Sequence, residues 1–178
     1  MSLIYLDFFA AIIYLISVIL TIKQKNSLWP VSIIAIIIYA FIYYQQGYYS
    51  NVILNIFYFI QCIIGWIYWK AKKELPVIRG SFIELNIVIF SIIFGSTYLY
   101  ELLSLSYLDL TTGLLSLYAM YLLIQRKLTN WYCWAMVDCW YIFVFFKLDM
   151  TFSFLLYIIL LILTRIGYKE WKKGLKLV

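Results

Sequence analysis

The sequence predicts an all-α membrane protein of seven transmembrane helices, arranged as a 3+1+3 parallel repeat, and three observations carry that expectation. First, 66% of the residues are hydrophobic and only 12% are charged, and apolar runs repeatedly reach about 20 residues, the length that crosses a hydrocarbon core. Second, the chain matches itself at a constant offset of 102 residues without a gap. Ser2, Leu3, Tyr5, Leu6 and Asp7 recur as Ser104, Leu105, Tyr107, Leu108 and Asp109, and Ile22, Lys25 and Trp29 recur as Ile124, Lys127 and Trp131. Gly65, Trp69 and Lys70 recur as Gly167, Trp171 and Lys172. Apolar coincidences are cheap in so hydrophobic a chain, so the weight lies in the repeated Asp, Gly, Trp and Lys, which point to an internal duplication. Third, when the spans are threaded alternately, thirteen of the fourteen basic residues fall at one face and only Lys147 at the other. By the positive-inside rule that face is cytoplasmic, with the N-terminus outside and the C-terminus inside.

The first span, Leu3 to Thr21, has Asp7 and no basic residue before it and no small-residue cleavage signature after it, so it reads as a retained helix and not a signal peptide. Lys23 to Ser27 ends it. The second span, Trp29 to Tyr44, carries Pro30 in its first turn, where a missing N–H is tolerated. The third, Tyr48 to Trp69, bears a polar and aromatic stripe of Asn51, Asn55, Tyr58, Cys62, Gly65 and Trp69, flanked by Gln61. The fourth, Phe82 to Tyr100, follows Pro76 and has no counterpart in the offset match. Three helices end on the side opposite to their start, so a second copy keeps its orientation only if one extra helix returns the chain, and the fourth span fills that role.

The fifth span, Tyr107 to Ile124, begins the second copy, and Gln125 to Asn130 closes it. On the sixth, Trp131 to Phe146, residues Trp131, Trp134, Asp138 and Tyr141 lie within an arc of about 80° at helical spacing. The seventh runs from Phe152 to Tyr168 and includes Tyr157. The expected organisation is residues 1–73 as the first repeat, 74–103 as the linking helix and 104–178 as the second repeat.

A net charge of +6 read this way is topological bias and not a nucleic-acid footprint, because the charges form short-loop clusters. Cys62, Cys133 and Cys139 fit no disulfide or metal spacing and are expected to be small core residues. Enzyme chemistry is disfavoured: the chain has no histidine, no paired intramembrane carboxylates and no metal-ligand cluster, and no cofactor is expected.

Polar groups at membrane depth cost several kcal/mol unless they face the interior or water, so they mark the candidate site. The candidate substrate-binding residues are Asn55, Tyr58, Gln61, Trp131, Trp134, Asp138, Tyr141 and Tyr157. Amides, phenols, indoles and one carboxylate suit a flat, hydrogen-bonding ligand. Trp69, Trp131 and Tyr168 lie near the cytoplasmic boundary, where interfacial belts compete with ligand contact, and Trp171, between Glu170 and Lys172, is expected to anchor the helix end at the headgroups.

The first half reads Lys25-Asn26, Trp29-Pro30, Tyr48-Tyr49-Ser50-Asn51, Asn55 and Gly65-Trp66-Ile67-Tyr68-Trp69. The second reads Trp131-xx-Trp134-xxx-Asp138-xx-Tyr141 and ends Gly167-Tyr168-xx-Trp171. At these residues the chain resembles the PnuC family of bacterial vitamin transporters. The resemblance implies a substrate with a flat cationic ring, which an indole face attracts; Asp138 either balances such a charge or packs as a protonated acid. The resemblance covers nearly the whole chain, without an additional N-terminal helix that some members possess. It implies a bacterial inner-membrane protein that carries nicotinamide riboside, or in a related branch thiamine, by facilitated diffusion, with cytoplasmic phosphorylation trapping the substrate. It also implies a homotrimer in the lipid bilayer with one pathway per protomer. The substrate-binding subunits of ATP-driven vitamin importers are a poorer match, since their Ala-xxx-Ala docking pattern is replaced here by Ala10 and Ala11 followed by Tyr14 and Leu15.

Overall fold

A computed structural model describes residues 3–72, 76–103, 107–147 and 151–175. Of the repeated residues named above and the fourteen basic residues, Ser2, Ser104, Leu105, Lys73 and Lys176 lie outside these, as does Glu74, the first residue of the expected linking helix. The described residues form helices α1 (Leu3–Ile22), α2 (Leu28–Gln45), α3 (Tyr49–Ala71), α4 (Phe82–Leu103), α5 (Tyr107–Ile124), α6 (Asn130–Lys147) and α7 (Thr151–Lys173). Each matches an expected span, and α7 runs five residues further than the apolar run because Lys169, Glu170, Lys172 and Lys173 are as helix-compatible as the residues before them.

Among the described residues, α1, α2, α3 and α5 are long and apolar enough to cross a membrane, and α4 has a shorter apolar stretch, Phe82–Tyr98. The polar face of α6 and the charged last turns of α7 lower their hydropathy. Large apolar side chains face outward along the helices, for example Phe90 and Phe94 of α4 and Ile67 of α3, which suits lipid as solvent.

Two compact units divide the chain, Met1–Leu75 and Pro76–Val178. In the first, α1 packs on α2 and α2 on α3. In the second, α4 packs on α5, α5 on α6 and α6 on α7. Leu85, Leu115, Ala119, Leu122, Cys133 and Val137 form an apolar core in the second unit. Cys62 and Cys133 are buried as expected, whereas Cys139 is exposed: it sits one residue past Asp138, and that step turns it to the outer face of α6.

The same local constructions occur in both units. The end of α1 is a Schellman cap, in which the Lys25 N–H donates to the Leu20 carbonyl and the Gln24 N–H to the Thr21 carbonyl, both at 3.0 Å. At the end of α5 the Lys127 N–H donates to Leu122 and the Arg126 N–H to Leu123, both at 2.9 Å. Gln24 (φ 53°) and Arg126 (φ 55°) take the left-handed position that glycine usually fills. Arg126 is buried, and that burial lowers its guanidinium pKa. In the second unit residues 76–80 also strap this corner, as the Ile78 N–H donates to the Arg126 carbonyl at 3.1 Å and the Leu128 N–H to the Ile78 carbonyl at 2.8 Å.

The caps are followed by a clamp. Trp29 at the start of α2 is wholly buried and meets Trp69 of α3 edge-on, with ring centroids 5.4 Å apart and planes at 90°. Trp131 at the start of α6 meets Trp171 of α7 at 5.5 Å and 88°. Each first indole lies against a glycine: a Cβ on Gly65 or Gly167 would collide with Cη2, Cζ2 and Cζ3 of Trp29 or Trp131, respectively. Absence of a side chain lets the two backbones approach, the usual device for tight helix pairs in membranes. Both Trp29 and Trp131 bury their indole N–H without a hydrogen-bond partner among the described residues. Each such group costs on the order of 1–3 kcal/mol, so ring packing dominates the choice of tryptophan.

Candidate functional site

Trp69 and Trp171 are 1% and 0% exposed. The expectation that Trp171 anchors a helix end at the headgroups is therefore corrected: flanking charges placed it near an interface, but helical rotation turns it inward against Trp131. Trp131 itself is held between Gly167 and Trp171, so its ring is packed by protein.

The candidate residues divide between the two units. Asn55, Tyr58 and Gln61 lie along α3 in the first, at spacings of three that keep them near one face. Asn55 is buried, and its Nδ2 donates to the Asn51 carbonyl at 2.8 Å, one turn back. That bond fixes the amide's rotation. Tyr58 and Gln61 are half-buried. This stripe ends in buried Cys62, Gly65 and Trp69, so the polar part of α3 sits N-terminal to its clamp.

In the second unit the structure brings together Trp134, Asp138 and Tyr141 on α6 with Tyr157 on α7. Asp138 is 5% exposed, and Thr164 of α7 donates its hydroxyl to Asp138 Oδ2 at 3.0 Å. Tyr141 and Tyr157 lie with ring centroids 4.8 Å apart at a tilt of 34°, and the Tyr141 hydroxyl shares a hydrogen bond with Thr112 of α5. Trp134 and Tyr141 are both half-buried and rest against the apolar core of this unit. The result is a carboxyl group anchored on one oxygen, on the same face of α6 as an indole and a phenol whose rings are not fully enclosed. Chemically this can attract a positive charge and stack on a flat face.

Two contributors escaped the sequence pattern, Thr112 and Thr164. Thr164 left a signal: it is the one polar side chain between Tyr157 and Arg165, and it lies seven residues, two turns, from Tyr157 on the same face of α7. No group of three or more potential metal ligands occurs among the described residues.

Comparison with known proteins agrees with this architecture. A solved structure described as the crystal structure of the vitamin B3 transporter PnuC superimposes with a TM-score of 0.77 at 22% sequence identity, covering 95% of this chain and 81% of that one. At that identity the likeness establishes the shared fold. No curated protein matches the chain. The sequence pattern of the nicotinamide mononucleotide transporter family matches residues 4–173, the whole run from α1 to the end of α7, and bears out the resemblance drawn from the tryptophan motifs. The chain belongs to that family, and is a membrane transporter and not an enzyme.

Proposed function

We propose that this protein carries a vitamin with a flat cationic ring across a bacterial inner membrane by facilitated diffusion, most directly vitamin B3 as its uncharged-tail nucleoside, nicotinamide riboside. The observation that carries this reading is the α6 face, where Trp134, Asp138 and Tyr141 present an indole, an anchored carboxylate and a phenol within one arc. In the first unit, Asn55, Tyr58 and Gln61 carry amide and hydroxyl groups of the kind that recognise a carboxamide or ribose; in the second, Tyr157 pairs with Tyr141. Trp131 belongs to the same stripe as the wall that holds α6 in place. The solved relative is described as a vitamin B3 transporter, which agrees with this choice.

The family's description names the mononucleotide, but the residues favour the nucleoside. Basic side chains of the described helices sit toward helix ends, such as Lys70 on α3, Lys147 on α6 and the Arg165 to Lys173 stretch of α7. A phosphate dianion at membrane depth without a cationic partner is costly. Cytoplasmic phosphorylation then traps what has crossed. Duplicated caps and clamps 102 residues apart support the 3+1+3 repeat, and the split of basic residues supports seven crossings with the N-terminus outside. A homotrimer in the bilayer follows from the family resemblance.

Calorimetric titration of the purified protein against nicotinamide riboside, the mononucleotide and thiamine tests the substrate. Binding of the riboside and silence of the mononucleotide are expected. Equal affinity for the two B3 forms, or binding of neither, would overturn the reading.

A further inference from the structure

A threonine inside a helix ordinarily turns its hydroxyl back to a carbonyl three or four residues earlier. Thr21, Ser91, Ser96, Thr111 and Thr112 do so here, at 2.7 to 2.9 Å. Thr164 does not. Its hydroxyl crosses from α7 to α6 and donates to Asp138 Oδ2 in a buried bond.

Packing does not require that pair. At the positions 102 residues earlier stand Ile36 and Cys62, and α2 and α3 pack together there with Cys62 wholly buried. Apolar side chains thus stand at the first unit's positions where the second has a carboxyl group and a hydroxyl. Burying a carboxylate without need is unfavourable, and a hydroxyl aimed at one of its oxygens both offsets that cost and fixes the orientation of the group.

We infer that Thr164 is a specificity-determining positioning residue: by holding Asp138 Oδ2 it keeps the carboxylate oriented to counter the ligand's positive charge, and so sets the preference for a cationic over a neutral ring. This rests on the reading of Asp138 as part of the ligand site.

The test uses the full chain, purified, and two ligands of nearly one shape: the cationic pyridinium riboside and its reduced, uncharged dihydro form. The measured quantity is the ratio of their affinities, which a general loss of packing leaves unchanged. Thr164→Val is expected to lower the cation-to-neutral ratio about tenfold or more, the scale of a hydrogen bond to a charged group, while neutral-ligand affinity stays within about twofold. Thr164→Ser is expected to restore the ratio to within about twofold. Thr164→Cys, which copies the residue at position 62, gives a second variant with a weak donor should valine fail to fold, and is expected to behave like valine.

An unchanged ratio in Thr164→Val and Thr164→Cys, equal losses for both ligands, or failure of serine to restore the ratio would overturn the assignment. Asp138→Asn separates the two layers. If it abolishes the ratio while Thr164→Val leaves it intact, only the role of Thr164 falls; if Asp138→Asn leaves both affinities as they were, the placement of Asp138 in the site falls and this inference with it.

Discussion

The Trp131 ring lies against the α-carbon of Gly167, with three of its ring atoms where a Cβ would be, and Trp29 stands in the same relation to Gly65. Neither ring is free to retreat, since each is held edge-on by a second buried tryptophan. The glycine is therefore a packing requirement of the α6–α7 and α2–α3 pairs.

Gly167→Ala should lower stability by about 1–3 kcal/mol through overpacking, and Gly65→Ala should do the same. Gly95→Ala in α4 is the opposite case, because nothing lies within 4 Å of the added Cβ. There the helix gains about 0.5–1 kcal/mol from the reduced backbone entropy of alanine. Thermal unfolding of the three variants in one detergent should show two decreases and one increase in Tm. A Gly167→Ala variant as stable as the parent would refute the clamp.

The α1 cap gives a second expectation. Gln24 holds φ 53°, a conformation that costs a residue with a side chain about 1–2 kcal/mol and costs glycine little. Gln24→Gly should raise stability by about 0.5–1 kcal/mol after allowing for the greater entropy glycine loses on folding. Chemical or thermal denaturation reads this directly, and a destabilised variant would mean that the Gln24 side chain matters more than its backbone.

Helix existence was legible because apolar run length and short charged breaks leave little choice in a bilayer, and the offset of 102 residues at which tryptophan and glycine coincide is also the offset between the two tryptophan–glycine clamps. What periodicity could not give was the direction of tryptophans near helix ends. Trp171 sits among charges, so local composition argued for an interface, yet its direction is fixed by Trp131 on the partner helix. Cys139 failed for a related reason: a small apolar residue has no signal of its own, and its face follows from Asp138 beside it. Thr164 was hidden because a threonine in a span usually bonds to its own backbone, and only the partner helix shows that this one does not.

The proposed topology rests on the charge split and can be tested by labelling. With single cysteines introduced into a background free of the three native ones, Gln46→Cys should react with a membrane-impermeant maleimide on intact cells, and Lys25→Cys should react only after lysis. Gln46 closes α2 on the side poor in basic residues, and Lys25 belongs to the α1–α2 corner on the side rich in them. The reverse pattern would invert the orientation, and equal labelling would deny that α2 crosses.

Trp134 and Trp171 make the last comparison, since both belong to the sequence motifs yet occupy different surroundings. Trp171 is wholly buried and edge-on to Trp131, so truncation removes a core ring and should cost about 3–5 kcal/mol of stability. Trp134 is only half-buried; one flank rests on the apolar core of the second unit, and it shares a helix face with Asp138. Trp134→Ala should therefore keep the fold and lose a stacking partner, worth about 1–3 kcal/mol or roughly 5 to 150-fold in affinity for a cationic ring. Unfolding measurements and calorimetry on both variants separate the two losses. If the folded Trp134→Ala protein binds as tightly as the parent, the α6 face is packing and the ligand is held elsewhere.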